Sequence, residues 1–340
     1  MKLQHNNSKI LIIAEAGVNH NGDMDVAKEL IRQAAIAGAD VVKFQTFTAD
    51  KLVTLDAPKA DYQHDPDAPN TSSFEMLKSL ELSKSNHLEL IEECKQNDIE
   101  FFSTAFDEAS LGLLLELGMS KIKIPSGEIT NRPLLEFIAQ FNIPVIVSTG
   151  MSELDEIHTA LEVLTSNKLQ RDNISILHCT SQYPASMKDI NLRAILTMKE
   201  EFKLNIGYSD HTLGPTASIA AASLGAKIIE KHITLDSNMP GPDHKASMEP
   251  KDFKEMIFAI RNIEQGLGNG IKMPTSEELE MRTVARKSLV ANKKIEKGEL
   301  FTLENLTVKR PGNGISPMKI NEVIGTKAAH TFEENDLIKI

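Results

Sequence analysis

The sequence predicts an α/β chain: a (β/α)8 TIM barrel followed by a small C-terminal domain. Three observations support this. Eight short apolar runs rich in Ile, Val and Ala alternate with amphipathic stretches. Most repeats span roughly 22–30 residues, the length of one strand plus one helix. Polar and ionisable residues gather at the far end of each run, as expected of a barrel whose site lies at its C-terminal face. A doubly wound sheet is the weaker alternative.

The predicted strands are Ile10–Ala14, Asp40–Phe44, Ile99–Ser103, Lys121–Ile124, Pro144–Ser148, Ile174–His178, Leu204–Tyr208 and Ala226–Glu230. Continuous apolar runs suit strands covered on both faces. Helical spacing covers Asp23–Ala37, Asn86–Gln96, Asp107–Leu117, Arg132–Gln140, Ser152–Leu164, Leu192–Glu201, Pro215–Leu224 and Pro250–Leu267. Asp107 and Ser152 are the expected N-caps of two of these. Gly38, Gly118 and Gly225 should end three, because glycine tolerates left-handed dihedrals. The connection between strands two and three is far longer than the rest. Its polar stretch Asp56–Ser73, ahead of a short helix near Phe74–Leu82, reads as a loop over the barrel mouth. In the stretch Leu204–His211 the seventh strand is expected to break at Gly207 and deliver Ser209, Asp210 and His211 in a row. Residues 1–268 make the barrel, 269–284 a polar linker and 285–340 a small domain of turns. A tail this short builds little core alone, so it should dock on the barrel or on a partner subunit.

Composition narrows the class. A net charge of −11 with no basic stripe excludes a nucleic-acid partner. Hydrophobic and charged fractions of 41% and 25% are ordinary for a globular chain. Cys94 and Cys179 lack CxxC spacing and read as reduced thiols of a cytoplasmic protein. Met1–Lys9 is polar, and the apolar run after it stops at Glu15, too short for a secretory signal or a membrane span.

His211 and His232 follow consecutive strands. Two imidazoles with oxygen donors nearby suit a catalytic divalent metal, Mn2+ above all, with Mg2+ or Co2+ also possible. Asp210 is a natural partner to orient such a ligand. Lys43, Thr104, Lys123, Ser126, Ser148 and Ser209 form an anion cradle, since phosphate needs several donors and one or two cations. Glu15 and Glu128 are candidates for acid–base work or for positioning water, the alternative being pairing with Lys43 or Lys123. Asn19-His20-Asn21-Gly22 reads only as a turn and the start of a helix.

Several motifs then resemble one family. Ala14-Glu15-Ala16-Gly17-Val18-Asn19-His20-Asn21-Gly22, Val42-Lys43-Phe44-Gln45-Thr46, Lys123-Ile124-Pro125-Ser126-Gly127-Glu128 and Ser148-Thr149-Gly150-Met151 look like the sialic acid synthase family. Gly207-Tyr208-Ser209-Asp210-His211, Glu230-Lys231-His232 and Gly241-Pro242-Asp243-His244 continue the likeness in order. The tail, with Arg286-Lys287-Ser288 and Lys309-Arg310-Pro311-Gly312-Asn313-Gly314, resembles that family's antifreeze-like (SAF, β-clip) domain. The resemblance implies a transferase that condenses phosphoenolpyruvate with N-acetylmannosamine to a nine-carbon 2-keto-3-deoxy acid, releasing phosphate by C–O cleavage. It implies that Lys43, Thr104, Lys123, Ser126, Ser148 and Ser209 hold phosphoenolpyruvate, and that Gln45, Tyr183 and Asp243 meet the sugar. It further implies a homodimer with exchanged C-terminal domains, in which Arg310 reaches the other protomer's sugar. Two departures stand out: Ser103-Thr104-Ala105-Phe106 where the family often has Ser-Thr-Pro-Phe, and Ser181 where some members have Asn.

The alternative substrate is 2,4-diacetamido-2,4,6-trideoxymannose, making the product N,N'-diacetyllegionaminate. A metal-dependent aldolase or isomerase would explain the histidines but neither the tail nor the phosphate-type donors. A binding module using the tail would need neither histidine.

Overall fold

The computed structural model describes residues 9–60 and 72–340, and the chain divides into two compact units, Met1–Asn269 and Gly270–Ile340. In the first, β1 (Leu11–Gly17), β2 (Val41–Thr46), β3 (Glu100–Ala105), β4 (Ile122–Ile124), β5 (Val145–Ser148), β6 (Ile174–Cys179), β7 (Asn205–Asp210) and β8 (Ile228–His232) form one sheet. Its order is β3-β2-β1-β8-β7-β6-β5-β4. All its ladders are parallel, and β1 pairs with both β2 and β8. β3 and β4 lie side by side at the seam, so the sheet is a nearly closed barrel. The expected (β/α)8 architecture is the one observed.

The helices that cover the barrel are α1 (Met24–Ala37), α2 (Ala49–Leu52), α3 (Ser73–Ser79), α4 (Lys84–Gln96), α5 (Glu108–Glu116), α6 (Arg132–Ile138), α7 (Leu154–Leu164), α8 (Ala194–Phe202), α9 (Thr216–Ser223) and α10 (Pro250–Gly266). Asp107 caps α5 by accepting from the Ala109 and Ser110 amides. Gly38 ends α1 at φ 90°, where a side chain would be strained. Ser152 is not a cap. Glu153 and Glu156 form the capping box of α7 instead, one residue later. Of the expected loop Asp56–Ser73, residues 61–71 lie outside the described residues, and α3 starts at Ser73 on a Ser72–Glu75 capping box. Among the described residues, no helix is long and apolar enough to cross a membrane.

Side-chain parity organises the barrel, because successive strand residues point to opposite faces. Ile12, Ala14, Val42, Phe44, Ile122, Val145, Ile176, Ile206 and Ile229 join the core shared with the helices. The opposite parity points inward. There Ile13, Val41, Phe102, Ile146, Leu177 and Ile228 form a separate apolar plug. One step of two residues above that plug, the same strands present Glu15, Lys43, Thr104, Ser148, Cys179 and Glu230. The polar floor therefore rests directly on the plug.

Gly207 does not break β7, which runs through it to Asp210. A Cβ at this position would lie 2.5 Å from Leu177 Cδ2 and 2.6 Å from the Ile228 carbonyl oxygen. Glycine is required there by close packing inside the barrel, not by a turn.

The second unit carries α11 (Ser276–Ala285), the antiparallel pair β9 (Ser288–Ala291) and β10 (Leu306–Lys309), and α12 (Ile320–Val323). Part of the stretch expected as linker is thus helix, set by a Thr275–Glu278 capping box. The unit also has a core of its own around Leu289, Ile295, Phe301, Val323 and Phe332. Bridges Val290–Leu337, Ile295–Phe332 and Leu300–Lys327 tie β9 and the loop after it to the C-terminal stretch.

Candidate active site

The C-terminal ends of the strands enclose a cavity of about 540 Å3. It is lined by Glu15, Lys43, Gln45, Thr104, Lys123, Ser126, Ser148, Tyr183, Ser209, His211, His232 and Asp243, every expected site residue except Glu128 and Arg310. Glu128 belongs to a 3-10 turn, Ser126–Glu128, which aims its carboxylate at the Asn131 side-chain amide rather than into the cavity. Arg310 follows β10 in the second unit and is exposed.

The floor is a cluster of two lysines and two carboxylates. Lys43 pairs with Glu15, donates to Thr104 Oγ1 at 2.9 Å and lies 3.5 Å from Glu230. Lys123 donates to Ser148 Oγ at 2.6 Å and lies 3.7 Å from Glu230. Ser209 Oγ donates to Glu230 Oε1 at 2.9 Å. Burial opposes the charge on Glu230, but Lys123, Lys43 and Ser209 outweigh it and hold that carboxyl at about 2. Glu15 takes the opposite course. Burial, helped by Glu230 and only partly offset by Lys43, pushes it up to about 7. Burial also lowers Lys123, whereas Lys43, desolvated as well, is raised by Glu15 and Glu230. The pair of carboxyls is therefore split into a permanent anion and a group that titrates near neutrality, the arrangement proton transfer uses.

Above the floor stand the histidines, ring centroids 5.5 Å apart. His211 Nδ1 donates to the Thr180 carbonyl at 2.8 Å, which leaves Nε2 as the ring nitrogen not engaged in that bond. Burial lowers the His211 pKa, but Cys179, the Thr180 carbonyl and Glu230 raise it overall. Burial and His211 hold His232 well below the usual imidazole range. Its buried Nδ1 has no hydrogen-bond partner among the described residues and sits 3.8 Å from Asp243 Oδ2. Burial pushes Asp243 up to about 6. Tyr183 leans over both rings, 4.1 Å from His211 and 5.8 Å from His232 between centroids. Among the described residues no group of three or more His, Cys, Asp or Glu side chains is arranged to hold a metal. Two adjoining imidazoles, one of them with an unpartnered buried nitrogen, do fit a divalent ion whose other positions go to substrate or water.

Asp210 has the wrong parity for that role. It faces the helix layer, accepts from the Thr212 amide and hydroxyl at 2.9 and 2.8 Å and from Ser218 Oγ at 2.6 Å, and pairs with Lys231 at 3.0 Å. His178 likewise points outward, to the Ile190 carbonyl. Reading the sequence by motif missed Glu230. Parity was the available signal: if His232 points inward, so does Glu230, and Lys231 does not. Cys179 lines the cavity unannounced, and so does Ser181, which the sequence marked only as a departure from the family pattern. So does an apolar side built from Val18, Leu52, Val53, Met76, Leu77 and Phe106.

The NeuB family profile matches residues 30–272. The chain belongs to the NeuB family. The SAF domain profile matches residues 286–340. Over 331 residues the chain is 51% identical to N,N'-diacetyllegionaminic acid synthase of Campylobacter jejuni, covering 97% of this chain and 99% of that protein. It is 47% identical over 319 residues to the enzyme of the same name from Legionella pneumophila, covering 93% and 89%. The crystal structure of N-acetylneuraminic acid (sialic acid) synthetase from Leptospira borgpetersenii in complex with citrate superposes with a TM-score of 0.72. It is 35% identical and covers 83% of this chain and 94% of that one. This NeuB-family protein is a phosphoenolpyruvate-dependent nonulosonic acid synthase, a transferase that joins phosphoenolpyruvate to a sugar.

Proposed function

We propose that the sugar is 2,4-diacetamido-2,4,6-trideoxymannose and the product N,N'-diacetyllegionaminate. The two-sided chemistry of the cavity carries this reading. Opposite the ionic floor, residues from α2, α3 and the ends of β1 and β3 present Val18, Leu52, Val53, Met76, Leu77 and Phe106. Among the described residues 52–60 and 72–80, Ser73 is the single hydroxyl that lines the cavity. A 6-deoxy sugar with two acetamido groups offers a C6 methyl and two acetyl methyls to such a wall. The 6-hydroxyl of N-acetylmannosamine, the sugar expected first from the sequence, would be desolvated there with few partners among the described residues. The 51% and 47% identities to synthases of this name support the same choice.

In this reading Lys43, Thr104, Lys123, Ser126, Ser148 and Ser209 bind the phosphate and carboxylate of phosphoenolpyruvate and turn its C3 toward the sugar aldehyde. Gln45, Tyr183 and Asp243 orient the open-chain sugar. His211 and His232 would hold a divalent ion, Mn2+ by preference, which when bound supplies Lewis acidity at the aldehyde oxygen. Glu15, titrating near 7, can move a proton at Oε1 or Oε2, either to the developing hydroxyl or from the attacking water. One water is consumed and inorganic phosphate leaves with its bridging oxygen. The reading extends to a homodimer in which each protomer's C-terminal unit supplies Arg310 to the other's sugar.

The test is phosphate release from phosphoenolpyruvate with Mn2+ and either sugar. We expect release with the diacetamido sugar at a kcat/KM at least tenfold above that with N-acetylmannosamine, the scale on which an apolar pocket discriminates. A preference for N-acetylmannosamine would overturn the sugar assignment. Titration of Mn2+ into the double variant His211→Ala/His232→Ala should show no binding; wild-type affinity there would remove the metal site.

A further inference from the structure

The turn Asn19-His20-Asn21-Gly22 contributes no side chain to the cavity, yet both of its asparagines, Asn19 buried and Asn21 half-buried, are directed at one neighbour, the loop between β8 and α10. Asn19 is fully buried, and its Nδ2 donates to the Ile233 carbonyl and to Ser247 Oγ, both at 2.8 Å. Ser247 Oγ in turn donates to the Asp243 carbonyl at 2.6 Å. Two residues on, Asn21 Nδ2 donates to the Pro240 carbonyl at 2.8 Å, while its Oδ1 meets His244 Nε2 at 3.2 Å. On the other side of the ring, His244 Nδ1 lies 2.7 Å from Thr234 Oγ1, whose hydroxyl donates to the Asp236 carbonyl at 3.0 Å. Burial, lowering His244 to about 4, keeps that ring neutral. Gly241 completes the fit. A Cβ there would come within 2.5 Å of Asn21 Oδ1 and 2.7 Å of the His244 ring.

Asp243 is thus gripped from both sides of its own backbone, through Ser247 by Asn19 and through Pro240 and His244 by Asn21. We infer that Asn19 and Asn21 are positioning residues that latch the β8–α10 loop and so set where the Asp243 carboxylate meets the sugar. The inference rests on the sugar-binding role proposed for Asp243. The latch acts at a distance from the phosphoenolpyruvate cradle, whose lysines and serines come from other strands. Its loss should therefore fall on one substrate only.

The experiment is a thermodynamic cycle on steady-state kinetics, with Asn19→Ala, Asn21→Ala, Asp243→Ala and the two pairwise combinations. Asn21→Ala serves as the milder variant should the fully buried Asn19 be needed for folding, and Tm is recorded for each. A displaced binding group costs about 10- to 100-fold, so each Asn variant should lower kcat/KM for the sugar by that factor and leave the KM for phosphoenolpyruvate within about twofold. In the Asp243→Ala background the same substitutions should cost nothing further, because the group they position is gone. An equal penalty in both backgrounds, or a matching rise in the phosphoenolpyruvate KM, would reduce the turn to a structural support and overturn the inference, as would an Asn21→Ala enzyme with wild-type kinetics. If Asp243→Ala alone leaves the sugar KM unchanged, the proposed role of Asp243 fails first and the latch with it, so the two failures are told apart by that single variant.

Discussion

Replacing Asp210 by Asn distinguishes its motif reading as a metal-site partner from the buried ion pair observed. The carboxylate is fully buried and faces Lys231, itself 1% exposed, at 3.0 Å. An Asn leaves the ammonium without a counter-charge and turns an amide donor toward Ser218 or Lys231. Breaking a buried pair from one side costs roughly 3–5 kcal/mol. The structure also sets a ceiling, because Lys231 can escape by losing its proton. From an ordinary value of 10.5, neutralising it at pH 7 costs about 5 kcal/mol, and at pH 9 only about 2 kcal/mol. The sign follows: in the variant the folded pKa of Lys231 is depressed, the unfolded chain holds more protons, and stability rises with pH up to about 10.5. Calorimetry of the barrel transition should show Tm lowered by roughly 6–20 °C at pH 7. The deficit should be smaller at pH 9, and removing the orphaned charge with Lys231→Met in the same background should restore most of it. An unchanged Tm together with weakened Mn2+ binding would refute the reasoning and return Asp210 to the metal site.

Glu230→Gln should cost about 3 kcal/mol at pH 7, from a carboxyl held at about 2 instead of 4.5. Because the folded value is depressed, that stability is present above pH 4.5 and is lost as pH falls through about 2. Urea unfolding curves of wild type and variant should therefore converge over that window. Curves that stay parallel down to pH 2.5 would mean the carboxylate is not the charged partner of Lys43 and Lys123. Gly207→Ala should destabilise the barrel by about 3 kcal/mol, the upper end for overpacking, since a backbone oxygen and two side chains crowd the new methyl. A Tm within 1 °C of wild type, on the order of the smallest shift such overpacking could give, would show that β7 can shift at no cost.

What the sequence by itself determined was the barrel and most of its site. Runs such as Ile10–Ala14 and Ala226–Glu230 are too apolar and too short to be anything but buried strands, and the residues that follow them are too polar to belong to a core. Eight such runs carried the fold, and twelve of the fourteen expected residues line one cavity, because a barrel brings every strand end to the same face. Helix boundaries followed local chemistry wherever one residue dominated, as at Asp107 and Gly38. They slipped where two candidates adjoined, as at Ser152 and Glu153.

The tertiary structure decided which way each side chain points. Asp210, His178 and Lys231 stand among site residues in the sequence but turn outward, because a strand alternates faces and its phase is set by the plug below. Glu230, hidden between a strand and a motif, is inward by the same rule. Glu128 is absent from the cavity lining because a local turn brings its carboxylate to the Asn131 side-chain amide, which no pattern encodes. The link from Asn19 to Ser247 joins residues more than two hundred positions apart. Chain order says nothing about such a pair until closing the barrel between β1 and β8 places their loops side by side.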